Sequence, residues 1–423
     1  MPEYAVGLGD IAVYIPRPRI DMETLVGLRS SVEPSLERKL RRAVASTGQK
    51  AFRFPEPWED TATMAAQSFL QLVGRGRNPA GVRYLAVGTE TGVDHSKPVA
   101  SYVQGMVTGA GVPLRSSLST YQIQHACAGG TIAMVSIAAL LLAGPSADAE
   151  SGVVICSDIA RYERSTTAEI TQGAGAVALS LEKNPGLLEL DIGTIGYASR
   201  DVDDFFRPLG SVTARVKGGY SVQCYNEAFE IAFLDHCRLR GEEPARVLAE
   251  TDILVVHVPF YQMAIMATHR LLTAHRDSAG ETATEYLTRR GFFCGIEPLA
   301  VVGNIYTGSV YLALASQLAE RYRALGNSVV GKRVLLASYG SGNTMIVLSG
   351  RVASRAPEVI SRWNLEAITE SARSASIGEY EEWLAGPYDR TEYDKLLASR
   401  TVAPGDFYLS GIREDGYREY RQA

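Results

Sequence analysis

Cys127 stands in the run His125-Ala126-Cys127-Ala128-Gly129-Gly130-Thr131, where small residues permit a sharp turn and let a ligand come close to the backbone. A strongly apolar segment, Ile132 to Ala143, follows at once. A thiol at the start of a helix feels the positive end of the helix dipole and free backbone N–H groups, and both favour thiolate over thiol. The expected chemistry is nucleophilic, through a covalent intermediate on sulfur. The competing reading is a small buried cysteine that only packs.

Glu90, in VGTETGVDHSK, follows the apolar strand Val82 to Val87. Burial there raises a carboxylate's pKa toward that of a proton carrier, and the alternative is a carboxylate bonded to its own turn. His257 closes the strand in LVVHVPFYQM, where a neutral imidazole can donate a hydrogen bond to a carbonyl oxygen. Asn304 opens a second apolar helix, so its amide either caps that helix or donates to a substrate carbonyl. Ser341, in SYGSGNT, has glycines on both sides that free its N–H to face a cavity as part of an oxyanion hole; a plain glycine-rich turn is the alternative.

The elements that must position these groups recur in the same order in two halves of the chain. The strand Val82 to Val87, which leads to Glu90, matches Ile253 to Val256, which leads to His257. HACAGGTIAMVSIAALLLAG matches VVGNIYTGSVYLALASQLAE, with Cys127 and Asn304 in corresponding places. GVVICSDIA matches KRVLLASYGSG, and the opening YAVGLGDIAVYIP matches LELDIGTIGYASR. Strands alternating with apolar helices predict an α/β fold of two similar halves, 1–180 and 181–423, with mixed sheets layered between helices. The charged, aromatic segment from Arg351 to Ala423 reads as helices packed on the second half, ending in the alternating FYLSGIREDGYREYRQA.

Composition sets bounds on this. A chain of 423 residues, 46% hydrophobic and 21% charged, has the balance of a soluble globular protein large enough for two joined domains. The formal charge of −5 offers no general attraction for nucleic acid or anionic membrane. The start, MPEYAVGLGDIAVYIP, lacks a signal-peptide pattern, and Ile132 to Ala143 reads as too short to span a bilayer. The five cysteines, an odd set without CxxC spacing, argue against a disulfide framework or a zinc site and suit a reducing cytoplasm.

Taken together, VGTETGVDHSK, HACAGGT, CSDIARY, DDFFRP, VHVPF, VGNIYTGSVYLALAS, SYGSG and FYLSGIREDGYREY resemble the 3-hydroxy-3-methylglutaryl-CoA synthase family of the thiolase superfamily, over nearly the whole chain. The resemblance implies a duplicated thiolase-like fold and a condensation of acetyl-CoA with acetoacetyl-CoA. Cys127 would take the acetyl group, Glu90 would remove a proton from its methyl, and His257 and Asn304 would polarise the acceptor carbonyl. The backbone amides of Cys127 and Ser341 would hold the thioester oxyanion, and water would release the product. The resemblance also implies substrate contacts from Ser341, Gly340, Thr131, Tyr306, Pro259 and Arg270, no metal or redox cofactor, a cytoplasmic homodimer, and a place in the mevalonate route to isoprenoids.

Two features depart from the family pattern. Ala128 replaces a bulky residue after the nucleophile, and Gln262, Ile265 and Met266 stand where lysines usually meet the CoA phosphates, leaving Arg270 or the basic run of Lys39, Arg41 and Arg42 as substitutes. A relative that takes its acceptor from an acyl carrier protein during polyketide branching accommodates the missing lysines. An initiating ketoacyl synthase uses a Cys-His-Asn set without the glutamate, and Glu90 speaks against it; a non-catalytic scaffold is opposed by the intact set of four.

Overall fold

The structure, a computed structural model, describes residues 4–144, 150–277, 280–386, 391, 393, 395 and 401–423. Its framework is a nine-stranded sheet. In chain order the strands are β1 (Val6–Tyr14), β2 (Val82–Gly88), β3 (Ser119–Ile123), β4 (Ser151–Ala160), β5 (Gly173–Lys183), β6 (Leu188–Ser199), β7 (Ile253–Val256), β8 (Arg333–Gly340) and β9 (Thr344–Val352). Most of their residues are buried on both faces, which is why they read as continuous apolar runs rather than as alternating ones.

The strands lie in the order β7-β8-β9-β6-β1-β5-β4-β2-β3. Going outward from the middle, β1, β5 and β4 pair antiparallel, and β4, β2 and β3 pair parallel. On the other side β6, β9 and β8 pair antiparallel, and β8 and β7 pair parallel. The pattern repeats, except that β3 has no strand counterpart. The two sets meet where Gly7 and Leu8 pair with Glu189 and Leu188, and a Cβ at Gly7 would come within 1.9 Å of the Leu188 carbonyl oxygen. Glycine is what lets the halves join. The first set closes at Lys183 and the second opens at Leu188, so the turn between them falls a few residues after the expected boundary at 180.

Helices α1 (Leu36–Thr47), α2 (Thr61–Gly74), α3 (Val99–Gly109), α4 (Gly129–Ala143), α5 (Gly218–Arg240), α6 (Tyr261–His275) and α7 (Ser309–Leu325) bear on the site. α2 and α3 cover the first strand set from outside, while α5 covers β6 and β9. α4 and α7 lie between the two strand sets, where Thr131 of α4 bonds to Tyr311 of α7 and Ser338 of β8, both at 2.8 Å. The Ala126–Ala143 stretch is 18 residues, long and apolar enough to cross a membrane by length and composition, which corrects the shorter span read from sequence. More than half of it is buried inside the protein, as expected of a core helix that is apolar on every face.

The chain beyond Arg351 corrects a second expectation. It packs largely on the first half: Tyr380 and Trp383 lie against Phe54, Trp363 donates to Asp10 at 2.8 Å, and Arg418 pairs with Asp60 at 2.8 Å. Its alternating end forms a hairpin of Phe407–Ile412 and Arg418–Gln422. The buried Phe52 and Phe54 offered these aromatics an apolar surface that no local pattern announced.

Candidate active site

β2 and β7 are short buried strands that each end by delivering one titratable side chain, Glu90 and His257, toward the middle of the molecule. Cys127 sits in the tight turn before α4, in which Ala126 has a left-handed backbone with φ of 41°. That turn is pressed from behind by the end of β8. A Cβ at Gly340 would lie 2.5 Å from the His125 carbonyl oxygen and 2.8 Å from the Ala128 side chain.

The turn places the Cys127 sulfur 3.5 Å from Oε1 of Glu90. Both side chains are almost wholly buried. Burial pushes the Glu90 carboxyl up to about 8, with the positive charge of Arg207 drawing it down and the negative charge of Asp158 raising it. Burial, and then the Glu90 charge, push the Cys127 thiol well above its usual value. Burial and the neighbouring carboxylate therefore oppose the stabilisation of thiolate expected from the helix start. Desolvation and a neighbouring carboxylate outweigh the dipole, which is worth about 1 kcal/mol.

Cys127 lies in a cavity of about 860 Å³ that is also lined by His257, Pro259, Asn304, Tyr306 and Ser341. His257 is fixed through its main chain, N–H to Ala337 at 2.8 Å and carbonyl from Tyr225 at 2.9 Å, while its Nδ1 has no partner among the described residues. Burial lowers its pKa to about 3, so the ring is neutral at pH 7 and can donate a hydrogen bond without carrying charge. The side-chain oxygen of Asn304 accepts from Tyr306 N at 2.9 Å and Ser309 Oγ at 3.1 Å, which leaves the NH2 as the group to offer a ligand. The amide oxygen thus braces the turn before α7, whose own first turn has no side-chain cap.

Two residues without a role assigned from sequence organise the site. Asp158, at the end of β4, accepts from the Glu90 N–H at 3.0 Å and the Thr307 N–H at 3.2 Å, besides the hydroxyls of Thr89, Thr91 and Thr307. Arg207 donates to the Glu90 main-chain oxygen at 2.6 Å and holds its charge 3.5 Å from the Glu90 carboxylate. Both occur in stretches noted for resemblance, CSDIARY and DDFFRP. A lone acid inside the apolar run of β4 was the available signal for Asp158.

Three expected substrate contacts do not line the cavity. Thr131 points between the inner helices, where its hydroxyl is held by Tyr311 and Ser338. Gly340 lies behind the Cys127 turn, its neighbours Tyr339 and Ser341 lining the cavity instead. Arg270 is exposed about 10 Å further along the α6 axis than the lining residue Met263 and sits beside α5. At the other end of the cavity, Arg38, Lys39 and Arg42 of α1 join Arg215 in the lining, whereas Arg41 is taken up by Glu37 and Glu23.

The family models for the hydroxymethylglutaryl-coenzyme A synthase N terminal and C terminal regions match residues 2–185 and 298–423. The hydroxymethylglutaryl-CoA synthase of Enterococcus faecalis is 27% identical over 392 residues, covering 93% of this chain and 94% of that protein. The mitochondrial hydroxymethylglutaryl-CoA synthase of Homo sapiens is 26% identical, covering 98% of this chain and 89% of its own length. Among solved structures, MvaS in complex with 3-hydroxy-3-methylglutaryl coenzyme A has a TM-score of 0.84 at 34% identity, with all of both chains covered. The Curacin biosynthetic pathway HMG synthase in complex with holo donor-ACP shares the fold, with a TM-score of 0.81 at 22% identity.

Proposed function

Since the chain belongs to the hydroxymethylglutaryl-CoA synthase family, we propose that it condenses acetyl-CoA with acetoacetyl-CoA through an acetyl thioester on Cys127. The observation that carries this reading is the 3.5 Å contact of Cys127 with Glu90 at a cavity into which His257 and Asn304 also face.

In this reading the Cys127 sulfur attacks the acetyl carbonyl, and coenzyme A leaves with the thiol proton. Glu90 then removes a proton from the methyl of the acetyl thioester, and the N–H groups of Cys127 and Ser341 stabilise the enolate oxygen. The carbanion adds to the ketone carbon of acetoacetyl-CoA, and the alkoxide, held by the donors of His257 and Asn304, takes up a proton in exchange for the one Glu90 removed, which gives a tertiary alcohol and restores the carboxylate. Water hydrolyses the Cys127 thioester, freeing hydroxymethylglutaryl-CoA and restoring the thiol. These acyl and proton transfers call for no metal or redox cofactor, and turnover should be unchanged by a chelator.

Arg38, Lys39 and Arg42 are exposed at the cavity's edge and form no ion pair among the described residues, which supports their holding the CoA phosphates in place of lysines on α6. A homodimer is supported by the edge strand β3, paired on one side only, and by the exposed Phe206, Leu209 and Val212. The free cysteines suit a cytoplasmic enzyme supplying the mevalonate route. Incubation of the purified protein with both thioesters, followed by mass identification of the product, tests the reading. Hydroxymethylglutaryl-CoA is expected, and its absence alongside activity on carrier-bound acyl chains would replace the reading with the carrier-dependent one.

A further inference from the structure

Arg207 takes no part in the steps above, yet it is placed where they occur. Its side chain is 12% exposed, and it lines a second cavity of about 640 Å³, on the other side of Glu90, that shares Phe205 and Ser341 with the first. The Glu90 carboxylate lies between two groups: Oε1 is 3.5 Å from the Cys127 sulfur and Oε2 is 3.5 Å from Nη2 of Arg207. Nη1 of Arg207 donates to the main-chain oxygen of Glu90, while Nε and Nη2 are buried without a hydrogen-bond partner among the described residues. A guanidinium stays charged at any working pH, so its burial there requires a compensating negative charge.

The charged and titratable groups that face Glu90 are Arg207, Cys127, Asp158, Tyr162 and Tyr306. Burial holds the two tyrosines neutral, since their pKa values are raised. Asp158 is already compensated by hydroxyl and backbone donors on both of its oxygens. Among the described residues the carboxylate of Glu90 has one hydrogen-bond donor, the Cys127 thiol. Arg207 is therefore the counter-charge of Glu90 rather than of Asp158.

We infer that Arg207 is a positioning residue, which holds the Glu90 backbone in place, favours the charged form of its carboxylate and keeps it within reach of Cys127. For the reaction this rests on the reading above; for the charge pair it rests on geometry alone. Loss of the positive charge makes the Glu90 carboxylate and the Cys127 thiolate less stable, so both titrations move to higher pH.

The test uses full-length Arg207→Gln and Arg207→Lys. Alkylation of Cys127 by iodoacetamide, followed by peptide mass against pH, requires no substrate and survives failure of the condensation reading. Arg207→Gln should move the midpoint upward by about one pH unit, while Arg207→Lys should stay near the wild type. The acid-side midpoint of condensation by acetylated enzyme should move in the same direction. Unchanged midpoints in folded Arg207→Gln overturn the inference, as does a shift of about one unit in Arg207→Lys. If Arg207→Gln does not fold, the Arg207→Lys comparison decides alone.

Discussion

Asp158, at the end of β4, and Thr307, in the turn before α7, are 149 residues apart in sequence and are joined by two hydrogen bonds, from Thr307 N at 3.2 Å and Oγ1 at 2.5 Å. The other carboxylate oxygen binds the turn that carries Glu90. One side chain thus fixes the base of the first half against the helix start that presents Asn304. Asp158→Asn places an NH2 against backbone N–H donors whichever way the amide turns. Stability should fall by on the order of 3 kcal/mol, with condensation falling more than acetylation. Thermal unfolding and single-turnover acetylation check this, and wild-type behaviour in both would show that the tie is dispensable.

Acetyl-CoA should label Cys127 and no other cysteine. Cys294 is the exposed one, while Cys156, Cys224 and Cys237 are buried away from the cavity. A reagent governed by exposure alone would mark Cys294, so acetylation at Cys127 separates site chemistry from access. Cys127→Ser should lose both the label and turnover, measured by intact mass and product formation. A label on Cys294 instead would point to non-specific transfer.

Glu90→Ala removes a negative charge beside the thiol, and that charge is the second cause of the thiol's raised pKa, after burial. The variant should therefore alkylate at Cys127 with a midpoint at lower pH than the wild type, and should still become acetylated while failing to condense. Normal condensation, or an alkylation midpoint that stays put or rises, would count against Glu90 as the neighbouring base.

A carboxylate with a pKa of about 8 is the competent base above that value and a carboxylic acid below it. Condensation by pre-acetylated enzyme should accordingly rise with pH through about 8. Rapid-quench rates between pH 6 and 9 check this. A limb with its midpoint in the ordinary carboxylate range would count against Glu90 as the buried base.

Cys127, Glu90, His257 and Asn304 were legible in the sequence because each sits just past a strand or at the start of a helix, a local pattern. Asp158 and Arg207 acquire their meaning from partners 149 and 117 residues away, and no local period encodes such contacts. Thr131 was misplaced for the same reason. The resemblance implied a substrate contact, whereas the helix turns its hydroxyl toward Tyr311 and Ser338. The helix start was legible as favouring a thiolate, but the opposing burial beside Glu90 was not, because Glu90 comes from a different strand.

The proposed role of the cavity's basic edge in delivering the acyl groups can be tested by charge reversal. Gln262 and Met266 of α6 do not line the cavity, while Arg38, Lys39 and Arg42 do, which is the ground for proposing that α1 holds the CoA phosphates. A well-formed charge-assisted contact to phosphate contributes about 1.5–3 kcal/mol. Arg38→Glu with Arg42→Glu should therefore raise KM for both CoA thioesters by at least about tenfold, since 1.4 kcal/mol is a factor of ten in affinity. The maximal rate of condensation should change little, because neither residue reaches Cys127. Salt should weaken the wild type more than the double variant, as the lost attraction is between solvent-facing charges. Initial rates at several ionic strengths, with acetoacetyl-CoA compared against the same acyl group on a carrier protein, read all three effects. An unchanged KM for CoA thioesters in the double variant would move phosphate recognition away from α1, and a clear preference for the carrier would identify these cations as a dock for its acidic surface.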